Sequence, residues 1–444
     1  MNAQNSPTNL ATENRTWKSF AGDAASWRWK VVALLFAATA INYIVRASLA
    51  VLKPSLDVKF GWDQKDYGWI VTSFQAAYAI GYVMAGRGID RIGVRIGLAL
   101  VVGVWSLAAL GHTLAASVAG FAIAQAVLGL AEGGYFPAAI KGVAEWFPKR
   151  ERALATGLFN SGSMTGAVLC PFLVPLIAGV WGWQSVFFFT GTAGLIWLAV
   201  WLWLYQSPER SRRTSEKELA WIRQGTAEPV ARVPWFQLLR HRQTWAFVVG
   251  TAASSPIWWF YIFWAPDFLS KRYGLEMSRS SLPLMVIFFV AGIGSISGGW
   301  LSTTLLRRGY SLNAARKLAL LVCGCCALPV CAAPFMPHPY WAVALVALAA
   351  AGHCGYAANV FTLASDTVPR QFIGSVVGIG GMAGAIAGML FAQIISRVLQ
   401  LTNNNFMVPF AIASVSYVLA LGVIHWLLPN LEKMSLEKEI TDPK

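Results

Sequence analysis

Two ionisable residues stand deep inside long apolar runs of this sequence, Arg46 and Glu132. A charge at the centre of a lipid-facing helix costs about 2.5 to 3.5 kcal/mol, so both are expected to face a polar interior or each other. Asn42, Tyr43 and Arg46 are spaced i, i+1 and i+4, which places them on one side of a helix. A guanidinium is a planar fork that grips both oxygens of a carboxylate. Flanked by a phenol and an amide, it suits an organic anion. Glu132 shares a helical face with Gln125, Gly129 and Phe136, and the glycines admit a neighbouring helix at short range. An acid held there, beside a cation, can gain or lose a proton according to whether an anion occupies the arginine. The competing readings are a structural Arg46–Glu132 ion pair and a protonated Glu132 hydrogen-bonded between helices.

Further polar and aromatic residues recur at helical spacing. Gln75, Tyr78 and Tyr82 share one face, as do Asn160 with Ser163, Ser254 with Trp258 and Tyr261, and Asn359 with Thr362. Aromatic faces stack on the apolar side of a sugar ring while amides and hydroxyls read its hydroxyl groups, so the set suits a substrate cavity. With 21 tryptophans in the chain, interfacial anchoring and packing are the alternative for the aromatic members. His353, beside glycines and Cys354, reads as a helix-packing donor more than as a proton carrier. Asp90 with Arg91 and Arg95 reads as a breakable gate at the cytoplasmic end of the helices rather than as a substrate site.

The elements that position these residues are membrane helices. The chain has 444 residues, 56% hydrophobic and only 12% charged, with a mean hydropathy of +0.53. About 20 apolar residues cross a hydrocarbon core of ~30 Å. Twelve such spans are predicted, roughly 29–51, 67–86, 95–114, 117–141, 153–179, 182–206, 243–268, 281–305, 314–336, 340–364, 372–396 and 405–428. They define an all-α membrane protein of two six-helix, pseudo-symmetric halves, 29–206 and 243–428. The halves are joined by a charged central loop, 207–242, and flanked by tails at 1–28 and 429–444. Placing both tails and that loop in the cytoplasm leaves seven Lys/Arg on the opposite side (Lys53, Lys59, Lys65, Lys271, Arg272, Arg279, Arg397). With Arg46 inside a span, 27 of the 35 fall on the cytoplasmic side, which is the positive-inside pattern.

The net charge of +15 is thereby explained by topology, without a nucleic-acid partner. No cleavable signal is expected in the polar first 28 residues. All six cysteines fall in predicted spans, so neither disulfides nor a metal site is expected. A nucleotide-driven pump lacks its glycine-rich phosphate loop with lysine. A membrane-embedded enzyme would need a cluster of acids, and Asp57, Asp63 and Asp66 with Lys59 and Lys65 read as a solvated connection.

The run Gly86-Arg87-Gly88-Ile89-Asp90-Arg91, continuing to Arg95, resembles the loop signature of the major facilitator superfamily, with a degenerate copy from Gly299 to Gly309. Asn42 to Arg46, Gly129 to Pro137, Glu145 to Pro148 and Phe159 to Ser163 resemble its anion:cation symporter branch. That branch includes bacterial hexuronate, galactonate and glucarate carriers and the animal sialin and vesicular glutamate carriers. Ser255 to Tyr261, and Ala364 to Pro369 followed by Gly374 to Gly378, look most like hexuronate carriers. The resemblance implies an alternating-access carrier of the bacterial inner membrane, a monomer, with Arg46 and Tyr78 on the substrate and Glu132 proton-linked. It implies import of a sugar-acid monoanion, with no cofactor besides the coupling proton. A dicarboxylate, aldonate or aromatic-acid carrier, working by exchange or export, is the alternative. Two positions depart from the branch: Val45 stands where many relatives have aspartate, and Gln125 where they have arginine. With those charges gone, one proton per substrate is expected.

Overall fold

The computed structural model describes residues 27–148, 151–211, 213–223, 235–369 and 372–434. Most of the two predicted tails, part of the central loop and the side chain of Asp90 lie outside the described residues. Among the described residues thirteen helices follow in chain order: α1 (Trp27–Phe60), α2 (Gln64–His112), α3 (Val118–Trp146), α4 (Arg152–Trp181), α5 (Trp183–Leu204), α6 (Glu216–Arg223) and α7 (Trp235–Leu238). Then come α8 (Arg242–Tyr273), α9 (Met277–Arg307), α10 (Leu312–Ala327) with a 3-10 segment (Leu328–Phe335), α11 (Pro339–Thr367), α12 (Ile373–Leu401) and α13 (Met407–Leu427). Among the described residues eleven stretches are long and apolar enough to cross a membrane. The limb of α2 before Gly93 packs along α3 and completes twelve.

Local chemistry sets the boundaries. Asp63 caps α2 in a reciprocal box with Asp66, while Ser117 and Ser311 cap α3 and α10, satisfying otherwise orphaned backbone N–H groups. Gly93, at φ 79° and ψ 165°, turns α2 back between its two limbs, a conformation that costs an L side chain dearly. The first helix runs nine residues past its predicted end at 51, and Lys53 and Asp57 therefore lie on a helix instead of in a solvated connection.

The two halves pack by the same rule. The pair α1–α4 recurs as α8–α12, and α2–α3 recurs as α9–α11. Across the halves, α2 meets α12 and α9 meets α4. Small residues permit this: a Cβ on Gly129 would land on the Phe74 carbonyl, and one on Gly298 would land on Gly355 of α11. Gly129→Val is expected to overpack the α2–α3 seam by about 1 to 3 kcal/mol and lower the thermal transition of the detergent-purified protein. A melting curve unchanged from the parent would refute that reading of the seam.

Candidate functional site

Arg46 lies at mid-length on α1 and is buried, 6% exposed. Its Nε and Nη2 both meet Oε2 of Glu132 on α3 at 2.7 Å, and Nη2 also donates to Oδ1 of Asn42 at 3.2 Å. The i, i+4 spacing of Asn42 and Arg46 makes the second bond local, whereas the first joins two helices. The guanidinium carbon stands 4.8 Å from the ring of Tyr43, 5.3 Å from Tyr78, 5.1 Å from Trp259 and 5.6 Å from Phe74. Ring quadrupoles stabilise a cation in such a box. Trp259 comes from α8 of the other half, so the box closes only when the halves meet. Oε1 of Glu132 and Nδ2 of Asn42 are buried without a hydrogen-bond partner among the described residues. The site therefore holds a neutralised ion pair with unsatisfied polar atoms beside it.

This pair borders a cavity of about 290 Å³ between the halves. Nine of the predicted residues line it: Asn42, Tyr43, Arg46, Tyr78, Tyr82 and Glu132, with Asn160, Ser254 and Trp258. Arg46 and Glu132 are the charged members among the described lining residues. The structure adds Thr39, Tyr135, Ser255, Trp259 and His353. Tyr135 links α3 to α1 through Thr39 at 2.9 Å and the Leu35 carbonyl at 2.7 Å, which helps fix Glu132 one turn away.

Five predicted contacts are placed elsewhere. Gln75 is buried one turn beyond Tyr78, against Gly388 of α12, with both amide atoms unpartnered. Ser163 turns back to the Asn160 carbonyl at 2.6 Å, and Thr362 to that of Ala358 at 2.6 Å. Tyr261 is buried within its own half. Asn359 donates to the carbonyls of Gly298 and Gly355, stitching α11 to α9. Asn359 and Gln75 meet neighbouring helices and Ser163 and Thr362 bond back to their own, and periodicity alone cannot tell one interior face from another.

Of the predicted gate, the side chains of Arg91 and Arg95 are described and that of Asp90 is not. Arg95 donates to the Leu202 carbonyl at 2.6 Å, a bond within its own half, and Arg91 is exposed. The hydrogen bonds and ion pairs that join the halves among the described residues lie at the opposite end, where α1 and α8 finish. Lys53, fully buried, meets Asp57 at 2.6 Å and Asp267 of α8 at 2.9 Å. Gln64 donates to Asp267 at 2.7 Å and to Asn404 at 2.8 Å, Tyr67 to the Phe263 carbonyl at 2.8 Å, and Gln400 to Asp63 at 3.3 Å. The cavity is sealed at that end. The spacing of Lys53 and Asp57 was the available signal, hidden because hydropathy ends the first span too early.

A family model described as Major Facilitator Superfamily matches residues 35–392. The hexuronate transporter of Escherichia coli (strain K12) is 28% identical over 418 residues, covering 93% of this chain and 96% of that protein. The galacturonate transporter of Dickeya chrysanthemi is 30% identical over 330 residues, covering 73% and 95%. The solved structure of a bacterial homolog of the human lysosomal transporter Spinster, inward-facing and occupied, superposes with a TM-score of 0.73 at 18% identity, covering 92% and 99%. That likeness is one of fold.

Proposed function

The chain belongs to the Major Facilitator Superfamily, and from that premise we propose that it imports a sugar-acid monoanion of the hexuronate type together with one proton. It is a multi-pass membrane transporter and not an enzyme. The observation that carries the reading is the Arg46–Glu132 pair: the cavity's fixed cation is neutralised by the acid among its described lining residues, inside an aromatic box between the halves. A substrate carboxylate that docks on the guanidinium displaces Oε2 of Glu132. The released carboxylate stands in a water-poor cavity and is neutralised by a proton.

Charge balance then performs the coupling. The empty cavity is neutral through the ion pair, and the cavity holding both anion and proton is neutral again. Either partner alone leaves a net charge in low dielectric, which costs several kcal/mol on closure. Only balanced states rock between the two openings, so neither solute leaks. The names of the Escherichia coli and Dickeya relatives support a hexuronate. The basic-residue bias supports cytoplasmic termini in a bacterial inner membrane, and the sealed end is then the outer one.

The test is uptake of radiolabelled glucuronate into proteoliposomes, driven by a pH gradient that is alkaline inside. Accumulation that collapses with a protonophore is expected. Absence of uptake in both gradient-driven and counterflow modes would remove the substrate assignment. One proton per monoanion moves no net charge, so adding glucuronate on a solid-supported membrane is expected to give no sustained current. A steady current of one positive charge per cycle would overturn that stoichiometry.

A further inference from the structure

Among the described residues the wall of the cavity contributed by the second half carries no lysine or arginine, and beside the hydroxyls of Thr251, Ser254 and Ser255 it presents an imidazole held by rings. His353 on α11 lies flat against the indole of Trp258, with ring centroids 5.0 Å apart and planes 7° from parallel. Its Nδ1 is 3.0 Å from the hydroxyl of Tyr417 on α13. Both ring partners are held: Trp258 by α8 and by an edge contact with Phe288 of α9, Tyr417 by full burial and an edge contact with Tyr356. One nitrogen is thus committed to a phenol and one face to an indole, and the residue still lines the cavity. Among the described residues no carboxylate forms an ion pair with it.

We infer that His353 is the second recognition point of the cavity, and that it reads a hydroxyl group at the end of the substrate remote from the carboxylate on Arg46. This rests on the sugar-acid reading above and narrows it to a class: polyhydroxylated monocarboxylates, uronates and aldonates, in preference to aldarates with a carboxylate at each end. The argument is one of donors and acceptors. If the Tyr417 hydroxyl donates to Nδ1, the other ring nitrogen carries the hydrogen and donates to the cavity; if Nδ1 donates to Tyr417, the other nitrogen accepts. A hydroxyl group is both donor and acceptor, and satisfies either form. A carboxylate only accepts, so it fits one tautomer, and it brings a second negative charge to a wall of Thr251, Ser254, Ser255 and aromatic rings. An unpaired charge in that setting is strongly disfavoured. Trp258 supports the imidazole and offers its remaining surface to the apolar side of the sugar, which orients the hydroxyl toward the ring nitrogen.

The experiment is counterflow of radiolabelled glucuronate in proteoliposomes, competed by unlabelled glucuronate, gluconate and glucarate, for the parent, His353→Phe, His353→Gln and His353→Lys. In the parent, gluconate is expected to compete within a few-fold of glucuronate and glucarate at least tenfold more weakly. His353→Phe keeps the stack on Trp258 but removes the ring nitrogens, so its KM for glucuronate is expected to rise roughly tenfold with the maximal exchange rate little changed, the effect of one lost hydrogen bond. His353→Gln, which restores a donor and an acceptor, recovers most of that loss. His353→Lys supplies a cation and raises glucarate competition relative to glucuronate. A parent that exchanges glucuronate while His353→Phe keeps its KM within twofold overturns the role of His353 alone, as does a parent that takes glucarate as well as glucuronate. A parent that exchanges no sugar acid overturns the sugar-acid reading and this inference with it.

Discussion

Glu132→Gln is expected to abolish pH-driven accumulation of glucuronate in proteoliposomes while leaving counterflow exchange at a large fraction of the parent rate. The amide is neutral and nearly isosteric, so it reproduces the protonated acid of the loaded carrier and cannot return to the ionised form. Loaded cavities then rock freely, which is all that exchange requires. The empty cavity is a different case. Without the carboxylate, Arg46 keeps only Asn42 and the four rings of its box, and a buried cation lacking its counter-ion costs about 3 to 5 kcal/mol. The empty carrier therefore stalls before the return step, and net uptake stops. Arg46→Lys separates binding from coupling. An ammonium lacks the planar fork and is too compact to reach both Glu132 and a substrate carboxylate, so both exchange and uptake are expected to fall by at least tenfold. If Glu132→Gln still concentrates glucuronate against its gradient, the proton travels elsewhere and the charge-balance mechanism is refuted.

What could be read from the sequence follows from how each residue acts. Arg46 and Glu132 were legible because a charge in an apolar run carries a cost that few arrangements justify, and Asn42 with Tyr43 followed by helical spacing. Tyr78 and Tyr82 were legible as a face, but the same face continues to Gln75, where α12 already covers it at Gly388. A helical repeat reports direction and not where along a helix a cavity ends. Asn359 illustrates the same limit, since its amide is used to join α11 to α9 through two carbonyls. Trp259 and His353 were harder, because their roles depend on helices far away in sequence: Trp259 caps an arginine of the other half, and His353 is set by Trp258 and Tyr417. The twelve spans and the duplication were legible from hydropathy and loop spacing, whereas the extension of α1 to Phe60 was not, because polar residues interrupt the apolar run just where they become buried by the second half.

That extension leads to the other large expected effect, at the sealed end. Asp267→Asn is expected to open this end and to slow or stop transport. Lys53 is completely buried and bridges Asp57 of its own helix to Asp267 of the opposite half, and Gln64 grips the second oxygen of Asp267. Removing the Asp267 charge leaves Lys53 a partner within its own half only, and the ionic contact that then remains across the halves there is the longer, half-exposed Lys271–Asp57 pair at 3.7 Å, which is worth little. Removing one member of a buried pair costs about 3 to 5 kcal/mol, and each 1.4 kcal/mol moves a two-state equilibrium tenfold. The cost falls on the sealed state alone, because in the open state Lys53 meets water. A reporter cysteine at Ala357, on the cavity wall and in a cysteine-free background, makes the shift measurable with a membrane-impermeant maleimide applied from the sealed side. At least a tenfold faster labelling is expected for Asp267→Asn. Asp57→Asn is expected to change it far less, since it removes only the longer, half-exposed Asp57–Lys271 contact while the buried Lys53–Asp267 bond across the halves survives. Exchanging the charges, Lys53→Asp with Asp267→Lys, restores a cross-half pair and is expected to return labelling toward the parent rate, an outcome that a merely structural defect at either position would not produce. Equal labelling of parent and Asp267→Asn would show that the seal is carried by the apolar contacts around Trp264 and Tyr67 and not by the ion pair.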